Sequence, residues 1–118
     1  MPPSENPELG LVYLTARETC ATYGPEEPTF VPGQSSFGGV VFIDGEQGSG
    51  ALRALDVQTG DLRWEFTYPS PTFGGVLTTA AGLVFAGDHE GNFMAFDAVS
   101  GDNLWHYQTG SRIWGAAA

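Results

Sequence analysis

The sequence contains no lysine and only four arginines against 14 acidic residues, which gives a formal net charge of −10. Nucleic-acid and anionic-membrane binding both need clustered basic residues, so neither partner is expected. No apolar run approaches the roughly 18 residues of a membrane-spanning helix, and the first residues lack the basic and apolar pattern of a secretory signal. The single cysteine, Cys20, cannot form an internal disulfide, and we interpret it as a small half-buried side chain rather than a nucleophile.

A 41-residue repeat is the strongest signal in the sequence. Residues 50–66 read GALRALDVQTGDLRWEF and residues 91–107 read GNFMAFDAVSGDNLWHY, and they align without a gap at a shift of 41. Six of the aligned pairs are identical, including a tryptophan pair, and the same shift places residues 70–74 on residues 111–115. A period of about 40 to 45 residues with four strands per unit is typical of β-propellers. We therefore predict an all-β partial propeller of about two four-stranded antiparallel blades.

The second unit is the more complete of the two, with four strands predicted at residues 75–80, 83–86, 93–96 and 104–108. In the first unit, the strands predicted at residues 10–15 and 51–56 should be neighbours, yet an insert over about residues 16–49 separates them. We interpret this Pro-, Glu-, Gly- and Ser-rich insert as a long loop with short extended pieces, and loops of this length are usually functional, linking or disordered. The predicted division is a first blade with its insert, residues 1–74, followed by a second blade and the start of the next strand, residues 75–118.

The repeated pattern Ala-x-Asp-x-x-Thr/Ser-Gly-x-x-x-Trp, at residues 54–64 and 95–105, resembles the tryptophan-docking motif of the PQQ-dependent (quinoprotein) alcohol dehydrogenases. Residues 74–111 resemble the late blades of that family, and PPSENPELGLVYLTA and PGQSSFGG resemble the preceding blade and its loop. The resemblance implies a periplasmic eight-bladed propeller carrying pyrroloquinoline quinone (PQQ) and a calcium or lanthanide ion. It also implies oxidation of a primary alcohol or aldehyde, with an aspartate as base and the quinone as hydride acceptor.

The resemblance places one cofactor-binding element in this chain. The family has Trp-Gly-Gly against the quinone, directly before a strand, and the same place here reads Phe73-Gly74-Gly75. We therefore expect Phe73, Gly74 and Gly75 to line the cofactor, with the phenyl ring offering an apolar face but no indole N–H. The family's catalytic aspartate, its metal ligands and most cofactor contacts lie in earlier blades, so no catalytic or metal-binding residue is assigned. Arg112 and Trp114 stand where the family usually has small or aliphatic residues, and Arg112 could attract a quinone carboxylate.

Other motifs have structural interpretations. Trp64 and Trp105 recur once per blade and are expected to hold one blade against the next. The aspartates that precede the tight turns, Asp56 and Asp97, are expected to accept hydrogen bonds from turn amides. We interpret residues 88–90 (Asp-His-Glu) as a solvated turn, because three consecutive side chains do not easily converge on one metal ion.

Two blades alone leave two apolar faces uncovered, so we expect this chain to join the remaining propeller blades or to self-associate. Its end at residues 115–118, where another strand should start, is consistent with a fragment. One hypothesis is that it supplies blades and part of the quinone wall to a PQQ-dependent alcohol or aldehyde dehydrogenase, and is inactive alone. The alternative is a non-catalytic PQQ-repeat module acting as a scaffold or interaction domain, like the outer-membrane assembly lipoproteins that share the repeat. The Phe73 loop and the insert favour the first, whereas the missing tryptophan and metal ligands allow the second.

Overall fold

Ten β-strands and no helix form the described part of a computed structural model, which covers residues 1–27, 30–34, 38–43 and 48–116. In chain order the strands are β1 (Ser4–Asn6), β2 (Leu11–Glu18), β3 (Ala21–Pro25), β4 (Gly39–Ile43), β5 (Ser49–Asp56), β6 (Leu62–Tyr68), β7 (Val76–Thr78), β8 (Leu83–Gly87), β9 (Asn92–Asp97) and β10 (Asn103–Gln108). Parts of the predicted insert, and the last two residues of the predicted start of a next strand, lie outside the described ranges.

The strands form two four-stranded antiparallel sheets, which confirms the predicted blades. The first blade has the strand order β1-β2-β5-β6 and the second has β10-β9-β8-β7, so both follow the chain from one edge to the other. The first blade has a fourth strand because the short strand β1 pairs with β2. The sequence analysis did not predict β1. The insert between β2 and β5 carries a separate two-stranded sheet made of β3 and β4. The described residues contain no helix long and apolar enough to cross a membrane.

Strand β2 shows why these sequences form blades. Its side chains alternate between buried and partly buried positions from Leu11 to Ala16, with Tyr13 completely buried. A period of two places one face of a strand on the neighbouring layer. The buried positions therefore lie at the contact between the two blades, where Tyr13 reaches the second blade and its hydroxyl donates to the carbonyl of Ala98 at 2.9 Å.

The same aspartate-based turn ends the third strand of each blade. Asp56 Oδ1 accepts from the amides of Gln58 and Thr59, and Asp97 Oδ1 accepts from those of Val99 and Ser100, at 2.8–3.1 Å. These backbone N–H donors hold the pKa of both carboxyls below its usual value. The expected role of the two aspartates as acceptors of turn amides is confirmed.

Trp64 joins the two blades. Its indole is only 9% exposed, its Nε1 donates to the carbonyl of Ala98 at 3.0 Å, and its ring lies over Gly101. A Cβ atom on Gly101 would stand 2.6 Å from that ring, so only glycine permits this approach. The expected locking role of Trp64 is confirmed, because a large flat side chain and one hydrogen bond seal the contact between the blades.

Trp105, the repeat equivalent of Trp64, lies outside the contact between the two blades. It is 50% exposed, and all six residues of β10 are exposed. Trp105 stacks on the neighbouring Tyr107, with ring centroids 6.3 Å apart. One apolar face of the second blade is therefore open. The interpretation of Cys20 as a half-buried side chain was wrong, because the residue lies exposed between β2 and β3.

Candidate functional site

Four chain segments meet at one end of the two blades and form a pocket of about 380 Å³. They are the end of β2, the connection 69–75 between the blades, the turn 88–91 between β8 and β9, and residues 109–116 after β10. Backbone hydrogen bonds fix this arrangement, since Ile113 N donates to Asp88 O at 3.1 Å and Thr109 N to Gly91 O at 2.8 Å. The pocket therefore rests on loops that the blades hold in place, rather than on a free loop.

Aromatic rings form one wall of the site. Phe73 and Trp114 occupy equivalent places in the two repeats, and their rings stack with centroids 5.0 Å apart and an interplanar angle of 2°. The guanidinium of Arg17 lies 4.4 Å from the Phe73 centroid in a cation–π contact. His89 meets both rings edge-on, at 6.4 Å from Phe73 and 5.5 Å from Trp114. Trp114 is 57% exposed, so the wall offers part of its aromatic surface to a ligand.

The site concentrates positive charge in an acidic chain. Arg17 and Arg112, two of only four arginines, both line the pocket. Glu90 also lines it and accepts a hydrogen bond from the Ser70 hydroxyl at 2.6 Å. The Nε2 atom of His89 is buried and has no hydrogen-bond partner among the described residues. The site suits a planar anion, because two guanidinium groups and an unpaired imidazole nitrogen lie beside a flat aromatic wall.

The three residues predicted to line a cofactor lie beside this pocket, with different exposures. Phe73 is partly exposed and contributes to the pocket wall, whereas Gly74 and Gly75 are buried. A Cβ on Gly74 would stand 2.6 Å from the carbonyl oxygen of Gly87, and one on Gly75 would stand 2.6 Å from the Cβ of Ala116. Packing against the chain itself therefore explains both glycines, and their contact with a cofactor stays a prediction.

A buried polar layer lies beneath the pocket. Asp88 is only 2% exposed, and its two carboxylate oxygens accept from the backbone and side-chain amides of Asn92, each at 2.8 Å. The interpretation of residues 88–90 as a solvated turn was therefore wrong for Asp88, whose carboxylate is the internal acceptor of the turn that presents His89. Nearby, burial raises the pKa of the Tyr68 hydroxyl.

Arg17 and His89 are site residues that sequence reasoning missed. Arg17 lies 56 positions before Phe73, and its place at the end of β2 is set by strand pairing that no local pattern encodes. The available signal was the scarcity of positive charge: with only four arginines and no lysine, each arginine is a candidate for binding an anion. Among the described residues, no group of three or more His, Cys, Asp or Glu side chains is placed to hold a metal ion.

Comparison with known proteins relates this chain to one family. A PQQ-repeat family model described as outer membrane protein assembly factor BamB matches residues 21–116. A quinoprotein ethanol dehydrogenase of Pseudomonas aeruginosa is 39% identical over 114 residues, which cover 95% of this chain and 18% of that relative. A lanthanide-dependent methanol dehydrogenase of Methylorubrum extorquens is 32% identical over 118 residues, covering 97% of this chain and 20% of the relative.

Solved structures of methanol and alcohol dehydrogenases also resemble this chain. A europium-containing methanol dehydrogenase superposes with a TM-score of 0.85 at 30% identity, over 98% of this chain and 21% of that chain. The quinohemoprotein alcohol dehydrogenase of Comamonas testosteroni gives a TM-score of 0.81 at 28% identity, over 98% of this chain and 19% of its own. The chain thus spans about a fifth of the length of the proteins to which it is similar.

Proposed function

We propose that this chain, which belongs to the PQQ-repeat family and within it to the quinoprotein alcohol dehydrogenases, supplies two adjacent blades and part of the quinone wall to a PQQ-dependent dehydrogenase. The parent enzyme would oxidise a primary alcohol or aldehyde, and this chain alone would be inactive. The observation that supports the cofactor role best is the pocket lined by Arg17, Phe73, His89 and Arg112, with Trp114 stacked on Phe73 beside it.

The residues of this pocket fit pyrroloquinoline quinone chemically. PQQ is a flat tricyclic quinone with three carboxylates, and when bound it supplies the hydride acceptor for alcohol oxidation. The guanidinium groups of Arg17 and Arg112 would bind carboxylates, and the Phe73–Trp114 stack would offer an apolar surface to the ring system. The unpaired Nε2 of His89 would find a hydrogen-bond partner on the ligand. Gly74 and Gly75 would line the cofactor beside Phe73, because glycine lets the backbone lie close to a planar ligand.

Catalysis would depend on parts beyond this chain. The described residues offer no cluster for a calcium or lanthanide ion, so the metal ligands, like the catalytic aspartate, would come from other blades. The curated relatives are about five times longer than the segment they share with this chain, which supports the need for other parts. The same resemblance supports a periplasmic location, which fractionation of the producing cell would test.

A non-catalytic scaffold is the second candidate function. It is favoured by the match over residues 21–116 to a family model described as an outer membrane assembly factor. In that case the blades would serve protein contacts, and the pocket would have no affinity for a quinone. The two functions therefore differ in one measurable property, which is saturable binding of PQQ.

Titration of the purified chain with PQQ, with and without calcium, tests the proposal. We expect tryptophan emission to be quenched saturably and the quinone absorbance to shift, with the quenching much reduced in Trp114→Leu. Replacing Arg17 with methionine should weaken binding about ten- to hundredfold, because one charge-assisted hydrogen bond contributes about 1.5–3 kcal/mol.

Arg63→Met is the matched control, because Arg63 is an exposed arginine on β6 outside the pocket. It should bind PQQ as the unmodified chain does. Equal binding by Arg17→Met and Arg63→Met, or no saturable binding at all, would rule out the quinone wall and favour the scaffold. Dye reduction with an alcohol should be absent in every sample, and turnover by the chain alone would contradict its proposed inactivity.

A further inference from the structure

Two surfaces form the contact between the blades, and the repeat places a second example of each surface elsewhere in the chain. We call each surface one half of the contact. The first half is an indole, Trp64 in the first blade, and the second is a turn with a glycine, Gly101 in the second blade. Their repeat equivalents are Trp105 and Gly60, at a shift of 41. Trp105 is half exposed, and a Cβ on Gly60 would meet no atom within 4 Å. Both unused halves are therefore open.

The Gly60 turn is already built to accept an indole. Its glycine has φ 76° where Gly101 has 77°. The residue three positions before each glycine is also held alike: Val57 N donates to Gly10 O at 3.0 Å, and Ala98 N donates to Gly82 O at 2.9 Å. The carbonyl of Ala98 is the acceptor for Trp64, so the carbonyl of Val57 is the equivalent acceptor. Val57 is 45% exposed, which leaves this surface accessible.

We propose that Trp105 of one copy of this chain docks on the Gly60 turn of a second copy, so that the copies associate head to tail. The occupant is a second copy because this chain itself supplies both surfaces, and because its own interface between blades shows that such surfaces fit each other. A head-to-tail contact uses different patches on the two partners, so each copy keeps one free half and further copies can add. This inference rests on the part of the proposed function in which further blades complete the assembly.

The contact between copies should be weaker than the contact within the chain. In the chain, the Ala98 carbonyl accepts from both Trp64 and Tyr13. The residue of the second blade that corresponds to Tyr13 is Phe85, which has no hydroxyl, so the Val57 carbonyl would accept one hydrogen bond instead of two. The association is therefore expected to be reversible and dependent on concentration.

Sedimentation velocity of the 118-residue chain, without quinone, tests the proposal. We expect species larger than the monomer to increase with concentration. Trp105→Ala and Val57→Asp should each weaken association about 30-fold or more, because truncating a central tryptophan or placing a carboxylate under it removes the main contact. Val41→Asp is the control, since Val41 is a similarly exposed valine on the separate β3–β4 sheet, and it should associate normally.

Mixing the two variants makes the test specific. The Val57→Asp chain retains Trp105, and the Trp105→Ala chain retains the Gly60 turn, so an equimolar mixture should form a one-to-one pair and nothing larger. Circular dichroism of each variant verifies its fold. A monomeric unmodified chain at all concentrations overturns the proposal, as does a mixture of folded variants that stays monomeric. Because no cofactor is present, failure here leaves the quinone titration to decide the proposed function separately.

Discussion

The carbonyl of Ala98 accepts two hydrogen bonds from the first blade, and this shared acceptor allows a sharp test of how the blades are joined. Tyr13 Oη donates at 2.9 Å and Trp64 Nε1 at 3.0 Å, and all three residues are buried. Tyr13→Phe or Trp64→Phe each removes one donor and leaves the carbonyl paired. Each loss should lower the free energy of unfolding by about 1 kcal/mol for the hydrogen bond, with a further cost for the smaller ring in Trp64→Phe.

The double variant Tyr13→Phe/Trp64→Phe should cost more than the sum of the single variants. It leaves a buried carbonyl without a partner, and an unsatisfied buried acceptor costs about 1–3 kcal/mol. The coupling energy should therefore be about 1–3 kcal/mol in the destabilising direction. Replacing Tyr68 instead of Tyr13 is the matched control, since the Tyr68 hydroxyl shares no acceptor with Trp64, and Tyr68→Phe/Trp64→Phe should be additive.

Urea unfolding followed by far-UV circular dichroism measures these free energies without relying on tryptophan emission. All variants should carry Trp105→Ala, so that any self-association is suppressed equally and does not add to the apparent stability. Additivity of Tyr13→Phe and Trp64→Phe within about 0.5 kcal/mol would refute the shared-acceptor account of the interface.

Three further changes test other parts of the structure. Gly101→Ala should destabilise the chain by about 1–3 kcal/mol more than Gly60→Ala in urea unfolding, because both glycines have φ near +76° but only Gly101 lies under the Trp64 ring; equal losses would contradict the docking contact. The lowered pKa of Asp56 and Asp97 implies a contribution to stability that is present above the unfolded value of about 3.9 and is lost as pH falls through the folded pKa. An Asp56→Asn/Asp97→Asn variant should therefore lose less of its melting temperature between neutral and acid pH than the unmodified chain does, and identical acid profiles would argue against these carboxylates. Asp88→Ala should cost about 1–3 kcal/mol by removing the acceptor of both Asn92 amides, whereas Glu90→Ala at the exposed neighbour should cost little; a similar loss in both would mean that burial at Asp88 is unimportant.

The repeat made most of the fold predictable. Once residues 50–66 and 91–107 are aligned, the two turns and the two tryptophans must have equivalent places, and the structure has them there. Strand β1 was not predicted, because Ser4–Asn6 is short and polar and lies between prolines, so its sequence does not favour a strand. These residues form a strand because they pair with the edge of β2. Such pairing depends on the folded sheet, so the local sequence does not show it.

The candidate site was only partly predictable, for a related reason. Phe73 was predicted because the resemblance points to its position, whereas its stacking on Trp114 was not predicted, since equivalent places in two repeats do not by themselves imply contact. Arg17 and His89 approach them through the folding of two different blades, so no local window contains all four. The burial of Asp88 was also hidden, because a carboxylate beside a histidine in a turn has the composition of a solvated loop until Asn92 is seen to pair with it.

Trp64 and Trp105 show that a repeated motif does not by itself predict which of its residues are buried. The same motif surrounds both residues, yet one side chain is 9% exposed and the other 50%. The difference reflects which blade follows each tryptophan, because Gly101 covers the first and no described residue plays that part for the second. The exposed tryptophan therefore marks the face of the second blade that no described residue covers. Any partner that completes the propeller must bring a glycine turn to that face, and protection of Trp105 from acrylamide quenching on binding would show that it had done so.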